Sequence, residues 1–347
     1  MRRALLLIML FSLGACQKQT SSNCSPQDHS LSAKFNFKVG TVAEPFQLQA
    51  NSPYLELVIS QFNALSPENV MKANAIHPQE GVFDWYPSDQ LVDFANDQNM
   101  RMHGHTLIWH QQLPEWISNF EGTKEEWRQV LKIHIQTIVA RYKGRVAAWD
   151  VVNEAFTEDG NLRNSVWFQH LGAAYLRLAF EYAHEADPDA LLFYNDYNLA
   201  QNPLKRNAAI RFCSDLKKAG VPIHGIGCQF HVSIDFPSHR EMDACMRAVC
   251  EADFLLHISE LDIALNPLSR SMPVPSEEDL QKQANLYYWI FKNYRRLPEA
   301  YQYGITLWGI GDADSWIPYF FNRDDYPLLF DENYQAKAAY CKLIEDL

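Results

Sequence analysis

Short apolar runs alternate with longer amphipathic segments along most of this chain. The apolar runs lack helical periodicity and predict eight strands, at 38–43, 62–65, 102–108, 146–152, 191–195, 226–229, 254–259 and 303–307. Helical periodicity predicts intervening helices at 125–141, 166–185, 204–219 and 277–294. Strands that alternate with helices form parallel sheets, and eight strands are the number that closes a barrel. The pattern therefore predicts an α/β fold, a single (β/α)8 TIM barrel over residues 34–347.

The first 33 residues follow a different pattern. Two arginines precede an apolar run over 4–13, which is the layout of a secretory signal and is too short to cross a bilayer. The run ends in Leu-Gly-Ala-Cys16, which resembles the cleavage box of bacterial lipoproteins. We predict a signal peptide at 1–15, a lipid anchor on Cys16 and a polar tether at 16–33. The expected location is the bacterial outer membrane, and an ordinary signal peptide of a periplasmic or secreted protein is the alternative.

Composition narrows the classes of function. The chain has 347 residues, 47% of them hydrophobic, which is ample for one large core. A net charge of −12 argues against nucleic acid as a partner, because binding a polyanion requires clustered cations. A neutral sugar polymer is not repelled by such a surface. Aromatic residues make up 13% of the chain, a content typical of sugar-binding clefts but also of large cores.

The seven cysteines suggest few covalent constraints. Cys16 would carry the lipid, and Cys24 lies in the predicted tether. Cys245 and Cys250 are close enough in sequence for a local disulfide in an oxidising compartment, although five residues along one helix would not make them face each other. No Cys-x-x-Cys pair indicates structural zinc. The cysteines expected to be small buried hydrophobic residues are Cys213, Cys228 and Cys341.

Two of the predicted strands run directly into a glutamate. Glu154 follows the strand at 146–152, and Glu260 follows the strand at 254–259. The two residues are 106 positions apart, about three strand–helix units of a barrel at roughly 30 residues each. Both carboxyls are therefore expected at the C-terminal rim, where such barrels carry out chemistry. Two carboxyls that face each other across a pocket are the equipment of a retaining glycosidase.

Polar and aromatic residues also follow the other predicted strands. Gln229 and His231 are two positions apart and would share a face if the sixth strand continues. A histidine beside a nucleophilic carboxylate can orient it and keep it ionised. The further residues of this kind are Glu68, Asn69 and Lys72 after the second strand, Trp109 after the third, Tyr197 after the fifth, and Trp308 and Trp316 after the eighth. Each also has a structural alternative, such as a helix start for Glu68 and barrel packing for the tryptophans.

The third strand offers a rival chemistry. His103 and His105 form a His-x-His pair on one strand face, as do the metal ligands of amidohydrolases. Those enzymes carry the pair on the first strand and take further ligands from later strands. Metal binding therefore stays a minority alternative here, and His103 fits a core histidine better than His105 does.

Together these stretches resemble glycoside hydrolase family 10, the endo-β-1,4-xylanases. The resemblance rests on 149–155 (WDVVNEA), 258–262 (ISELD), 103–110 (HGHTLIWH), 327–331 and 334–337, and extends from about residue 35 to the end. It implies endo-acting hydrolysis of β-1,4-xylosidic bonds in xylan or xylo-oligosaccharides. It also implies a double displacement through a covalent glycosyl-enzyme, without a metal or an organic cofactor. We expect a monomer that contacts the membrane only through the anchor.

The resemblance implies roles for individual residues. Glu154 would be the acid/base and Glu260 the nucleophile, with their carboxyl groups about 5–5.5 Å apart. Asn153 would hydrogen-bond the 2-hydroxyl of the sugar in the −1 subsite. The residues expected to line that subsite are His105, Trp109, Gln229, His231, Trp308 and Trp316. Those expected to bind the next sugar are Glu68, Asn69 and Lys72, and Tyr197 is also expected to contact substrate.

The chain departs from the family pattern at a few positions. Ala73 stands where many members have a tryptophan, and His103 stands where an arginine is usual. Both departures concern the outer glycone subsites and the preferred chain length rather than the reaction. Ser259 replaces a threonine before the predicted nucleophile, and Gln111 replaces a smaller polar residue.

Three other functions compete with the xylanase hypothesis. A carbohydrate-binding barrel without turnover would be expected to lack Glu154 or Glu260, and both are present. A metal-dependent hydrolase would use His103 and His105 and would be sensitive to chelators. A glycosidase of the same mechanism could act on cellulose-like or mixed-linkage β-glucan, because pocket shape decides whether the extra hydroxymethyl group is excluded.

Overall fold

The structure, a computed structural model, describes residues 24–268 and 274–347. The predicted signal peptide at 1–15 and the predicted lipid anchor at Cys16 lie outside the described residues. Within the described ranges no helix combines the length and the apolar character that crossing a membrane requires.

Within the described residues nine strands build the sheet, and all their pairings are parallel. Their bounds are β1 Lys38–Ala43, β2 Ala64–Pro67, β3 Arg101–Gly104, β4 Ala148–Asn153, β5 Leu191–Asp196, β6 Gly225–Cys228, β7 His231–Ser233, β8 Leu255–Ala264 and β9 Gln302–Leu307. Strand β1 pairs with both β2 and β9, and β6 pairs directly with β8. Eight strands therefore close a ring, which confirms the predicted (β/α)8 barrel.

Helices surround this ring. Their bounds are α1 Pro53–Gln61, α2 Ala73–Ile76, α3 Tyr86–Asp97, α4 Glu115–Ser118, α5 Lys124–Arg141, α6 Val166–Leu171, α7 Ala174–Ala186, α8 Pro203–Lys218, α9 His239–Glu251, α10 Glu277–Tyr294, α11 Trp316–Phe321 and α12 Ala338–Asp346. Side-chain caps fix several starts, as at α5, where Thr123 and Glu126 form a reciprocal capping box. The single helix predicted at 166–185 is two helices, because Gly172 adopts a φ of 64° between them.

Two predicted strands end earlier than expected. The strand predicted at 102–108 ends at Gly104, and Leu107 and Ile108 then bond irregularly to the backbone of β4. The strand predicted at 226–229 ends at Cys228 and does not continue to His231, because Phe230 adopts a φ of 58° after β6. His231 instead begins the additional short strand β7, which pairs with the C-terminal half of β8. These irregular segments turn side chains of both loops toward the C-terminal rim.

The second half of the predicted tether is part of the folded domain. Cys24 is buried and forms a disulfide with Cys341 in α12. The buried amide of Gln61 donates to Pro26 O and His29 O at 2.8 Å each. The tether predicted at 16–33 therefore does not extend past residue 23, and Cys341 is not the free core cysteine that we expected. The polar composition of this segment predicted a tether because its side chains face solvent, but its backbone oxygens are bonded to Gln61.

The local disulfide considered possible between Cys245 and Cys250 is not formed, because both thiols are free and buried. The two residues lie five positions apart on α9 and do not face each other. Cys245 Sγ lies 3.6 Å from Cys228 Sγ instead. Cys213 and Cys228 are free and buried, as expected.

The core lies between the strands and the surrounding helices, and inside the ring. Ala148, Phe193 and Tyr303 fill part of the barrel interior, with polar side chains above them. Asp150 on β4 is fully enclosed there and contacts both His103 and His105. A packed floor thus supports the rim at which the strands end.

Candidate active site

A cleft of about 910 Å³ opens at the C-terminal ends of the strands. Its lining includes all thirteen side chains predicted to act on or bind substrate: Glu68, Asn69, Lys72, His105, Trp109, Asn153, Glu154, Tyr197, Gln229, His231, Glu260, Trp308 and Trp316. Strands β4, β7 and β8 and the segments after β2, β3, β4, β5, β6 and β9 supply them, so residues far apart in sequence meet at one rim. That is the position in which barrels of this type carry reactive groups.

Glu154 follows β4 and is buried among neutral hydrogen-bond donors. Trp109 Nε1 donates to Glu154 Oε2 at 2.8 Å, and Gln229 Nε2 donates to Glu154 Oε1 at 3.1 Å. His110 Nδ1 lies 3.9 Å from Glu154 Oε2. Burial, with smaller contributions from Arg163 and Lys205, lowers the pKa of His110 to about 4. His110 is therefore neutral at pH 7, and the surroundings of Glu154 carry no positive charge in direct contact with its carboxyl.

Glu260 lies in β8 and is bound by an amide and an imidazole. Asn195 Nδ2 donates to Glu260 Oε1 at 2.7 Å, and His231 Nε2 lies 3.2 Å from Glu260 Oε2. His231 Nδ1 in turn lies 2.8 Å from Asp262 Oδ2. One imidazole thus bridges two carboxylates, and both of its nitrogens are used.

His231 carries a positive charge at neutral pH. Burial disfavours the imidazolium, but the carboxylates of Asp262 and Glu260 outweigh it and raise the pKa of His231 to about 10. A fixed positive charge therefore lies against the carboxyl of Glu260. Trp316 Nε1 also donates to Asp262 Oδ2 at 2.8 Å, which ties the loop after β9 to the same group.

Amide side chains join the two glutamates into one network. Asn195 Nδ2 donates to Asn153 Oδ1 at 3.0 Å as well as to Glu260, and Asn153 Nδ2 lies 3.3 Å from Glu154 Oε1. Ser259 Oγ donates to Asn195 Oδ1 at 2.6 Å and fixes the orientation of that amide. The amides that bond both carboxyls are thus fixed by hydrogen bonds of their own, as a preorganised site requires.

A second polar group lies at the β2 end of the cleft. Lys72 Nζ donates to Asn69 Oδ1 at 2.9 Å and lies 5.1 Å from the centre of the Trp109 ring. The Asn69 backbone N–H donates to the carboxyl of Glu44. Burial raises the pKa of Glu44 to about 7 and raises that of Glu68, while burial lowers that of Lys72. Donors and acceptors alternate here, which suits neighbouring sugar hydroxyls.

Histidines at the floor of the cleft are held by Asp150. His105 Nδ1 lies 2.9 Å from Asp150 Oδ2, and the His105 ring contacts Trp308 edge-on at 5.4 Å. His103 Nε2 lies 3.0 Å from Asp150 Oδ1, and its Nδ1 lies 3.0 Å from Tyr303 OH. His103 is thus a core histidine below the cleft rather than part of a glycone subsite. Over residues 24–268 and 274–347, no three His, Cys, Asp or Glu side chains are grouped as a metal site would need.

Tyr197 is held at the cleft edge by two cations. Arg163 donates to Tyr197 OH at 3.0 Å and to the backbone oxygen of Glu154 at 3.0 Å. Lys205 Nζ lies 3.3 Å from the centre of the Tyr197 ring and 2.9 Å from Asp196 Oδ1, and its side chain is fully buried. These contacts couple the position of Tyr197 to the loop that carries Glu154.

Residues 28–346 match the sequence model described as Glycosyl hydrolase family 10. The chain belongs to glycosyl hydrolase family 10. It is similar to a beta-1,4-xylanase of Dictyoglomus thermophilum, with 38% identity over 98% of this chain and 97% of that protein. Among solved structures it is similar to native xylanase 10B of Thermotoga maritima, with 38% identity, a TM-score of 0.85 and coverage of 91% of this chain and 97% of that one. It is also similar to xylanase 10B of Thermotoga petrophila in complex with xylobiose, with 36% identity, a TM-score of 0.85 and coverage of 92% and 98%.

Several residues of this family 10 cleft were not predicted from the sequence. Asp262 and Asn195 contact His231 and Glu260 directly, yet neither was assigned a role. Asp262 could have been found, because it lies two residues from Glu260 on one strand and so shares its face. Glu44 and Arg163 gave no comparable signal, since their partners lie on other elements.

Proposed function

We propose that this family 10 enzyme is a retaining endo-1,4-β-xylanase in which Glu154 and Glu260 are the two catalytic carboxyls. The observation that carries the assignment is the difference between their surroundings. Glu260 lies 3.2 Å from the charged imidazole of His231, whereas Glu154 is surrounded by neutral donors and a neutral His110. A neighbouring positive charge favours the ionised form that a nucleophile needs, and no such charge is in contact with the carboxyl of Glu154.

The reaction then proceeds in two displacements. Glu154 gives its proton to the glycosidic oxygen as the bond to the anomeric carbon breaks, while Glu260 attacks that carbon and forms an ester. Glu154, now a carboxylate, removes a proton from water, and this water displaces Glu260 with net retention of configuration. We expect carboxyl groups about 5–5.5 Å apart in a substrate-bound structure.

The cleft supplies the contacts that such a substrate requires. Asn153 is fixed by Asn195 and would bond the 2-hydroxyl of the sugar in the −1 subsite, a contact that strengthens in the transition state. His105, Trp308 and Trp316 would enclose that sugar. The alternating group of Glu68, Asn69 and Lys72 would bind the next sugar, because its donors and acceptors line the same cleft.

The test measures new reducing ends on xylan and on carboxymethyl-cellulose, with and without a chelator. The protein should begin after Cys16 and keep Cys24, so that the Cys24–Cys341 disulfide can form. We expect release from xylan alone, indifferent to the chelator and lost in both Glu154→Gln and Glu260→Gln. Glu56→Gln, an exposed change on α1, is the matched control.

Each other result points to a named alternative. Binding of xylan without release would indicate a carbohydrate-binding barrel. Release from carboxymethyl-cellulose at a similar rate would indicate a β-glucanase, and loss of activity with chelator would indicate a metal-dependent hydrolase. An aryl xyloside with a good leaving group separates the two roles, since its first step needs Glu260 but not the proton of Glu154.

We also propose that the protein is an exported monomer anchored through a lipid on Cys16. Support comes from the signal-like layout of residues 1–16 and from the Cys24–Cys341 disulfide, a bond that persists in oxidising compartments. Bacteria grown with a labelled fatty acid should label the wild type but not Cys16→Ser. An unlabelled wild type would favour the ordinary signal peptide, and sedimentation at two concentrations tests the monomer.

A further inference from the structure

Glu44 is a buried carboxyl at the rim that the two displacements do not use. It directly follows β1, is 6% exposed and does not line the cleft. Because β1 pairs with both β2 and β9, the segment that begins at Glu44 lies between the segments that follow those two strands. Burying a carboxyl costs free energy, so the bonds that Glu44 makes there indicate what it does.

The carboxyl of Glu44 holds the backbone of Asn69. The Asn69 N–H donates to Glu44 Oε1, and Asn69 Oδ1 in turn accepts a hydrogen bond from Lys72 Nζ at 2.9 Å. Asn69 and Lys72 both line the cleft, so the bonds lead from a buried carboxyl to two side chains that substrate can reach. A displacement of the Asn69 backbone would therefore also displace the acceptor of Lys72.

Glu44 is itself fixed by the loop after β9. The Glu44 backbone N–H donates to Gln47 Oε1 at 2.8 Å, and Gln47 Nε2 donates to Asp314 Oδ1 at 3.2 Å. Asp314 also accepts from Gly311 N and from Tyr334 OH, each at 3.1 Å. The position of Glu44 is therefore set by the protein before substrate arrives, as a preorganised binding site requires.

We propose that Glu44 is a positioning residue for the subsite that binds the second glycone sugar, and that it acts through the backbone of Asn69. This inference rests on the proposed function. A carboxylate accepts a hydrogen bond more strongly than a neutral group does, so the ionised form of Glu44 holds Asn69 and Lys72 firmly for the sugar hydroxyls. Loss of this charge weakens their arrangement without a direct contact to Glu154 or Glu260.

The charge of Glu44 depends on pH near neutrality. Burial raises the pKa of Glu44 to about 7 against the lowering effect of the bond from Asn69. The titratable side chains that face it come from three elements and are Tyr54 on α1, Glu68 and Lys72 after β2, and Asp314 after β9. Because Glu44 is ionised above its pKa, its hold on Asn69 should be full at pH 8 and weaker at pH 5.

The test compares two aryl glycosides that differ by one sugar. An aryl β-xyloside occupies the −1 subsite alone, and an aryl β-xylobioside adds the second glycone sugar. The ratio of their kcat/KM values therefore measures what that sugar contributes to the transition state. The variants are Glu44→Gln, which keeps an acceptor without the charge, and Glu44→Ala, which removes both. Glu56→Gln, an exposed change on α1, is the matched control.

At pH 8 we expect Glu44→Ala to lower kcat/KM on the aryl xylobioside about tenfold, and Glu44→Gln to lower it about threefold. Both variants should hydrolyse the aryl xyloside at the wild-type rate, and Glu56→Gln should match the wild type on both substrates. Titration of the catalytic carboxyls affects both substrates and cancels in the ratio.

The ratio should also depend on pH in a way that isolates Glu44. From pH 8 to pH 5 it should fall in the wild type and stay nearly constant in Glu44→Gln. Burial also raises the pKa of Glu68 and of Asp314, but these groups titrate in both proteins. A fall of equal size in the wild type and in Glu44→Gln would assign the titration to them and overturn the proposal.

Two other results would overturn it as well. An equal loss on both aryl glycosides would show that Glu44 supports the whole site, and an unchanged ratio in Glu44→Ala would show that it supports none of it. Calorimetric binding of xylotriose in a Glu154→Gln background separates this proposal from the proposed function. Equal binding with and without Glu44→Ala would overturn the role of Glu44 alone, whereas absence of turnover by the wild type would overturn the proposed function alone.

Discussion

Replacing Asp262 by asparagine would remove the carboxylate that keeps His231 charged. The charges on the two side chains lie 2.8 Å apart. At an effective dielectric constant of about 20, such a pair interacts by about 6 kcal/mol as an upper bound. Loss of this attraction, against the opposing effect of burial, would bring the pKa of His231 from about 10 to below neutral. The charge beside Glu260 would then be absent at alkaline pH.

The second displacement should be the step that suffers. Glu260 leaves the glycosyl-enzyme as a carboxylate, so negative charge develops 3.2 Å from His231 Nε2. A full charge at this distance is worth about 5 kcal/mol at the same dielectric constant. With roughly half of that charge developed in the transition state, about 2–3 kcal/mol is lost, or roughly 30- to 150-fold in kcat. KM should fall as well, because the covalent intermediate accumulates.

The loss of kcat in Asp262→Asn should depend on pH, because it follows the protonation of His231. His231 is charged below its pKa, so the wild type keeps the imidazolium up to about pH 10. In Asp262→Asn the deficit in kcat should be large at pH 8 and smaller at pH 5, where His231 can regain its proton. Rapid mixing with an aryl xylobioside should show a burst of the aryl product at pH 8, and intact mass should show the glycosyl-enzyme.

Trp316→Phe is the matched control, because it removes the other hydrogen bond to Asp262 without removing the charge. It should alter KM without a burst that depends on pH. If Asp262→Asn lost the same factor at pH 5 and pH 8, or showed no burst, Asp262 would act only by orienting its neighbours. The electrostatic account of the second displacement would then be refuted.

Three further changes test the parts of the fold that hold this site. Reducing the Cys24–Cys341 disulfide, which closes a separation of 317 residues, should lower the free energy of unfolding by up to about 5 kcal/mol without changing kcat; an unchanged urea midpoint would contradict its structural role. Gln61→Leu should lower the free energy of unfolding by about 3 kcal/mol, because Pro26 O and His29 O lose their buried donor. Gln61→Glu should recover only part of this loss, since a carboxylate can accept the bonds that Gln61 Oε1 accepts but cannot donate. Lys205→Met should lower the free energy of unfolding by about 3–5 kcal/mol at pH 8 and by less at pH 5. Burial raises the pKa of its partner Asp196 to about 7, so the unpaired carboxyl is protonated in acid. A loss of stability that is equal at both pH values would rule out the buried ion pair as the cause.

The barrel could be predicted because its signals are local. Each strand is a short apolar run, and β1 and α10 have the bounds that periodicity predicts. The errors arose where the outcome depends on distant partners. The bonds of Gln61 to the segment before β1 and the Cys24–Cys341 pairing join residues that no sequence window contains. A polar segment therefore looked like a free tether although its backbone is bound.

In the site, too, the residues with local sequence signals could be predicted, and the contacts between distant residues could not. Glu154 and Glu260 could be identified because each follows an apolar strand at the expected interval, and the lining residues follow other strands in the same way. What decides the chemistry is the neighbour of each carboxyl, which the fold brings from a different strand. Only Asp262 was within reach of sequence reasoning, since alternation on β8 places it on the face of Glu260. His231 lies between these two carboxylates, whose attraction outweighs burial and keeps the imidazole charged, so the asymmetry of the catalytic pair is a property of β7 lying against β8.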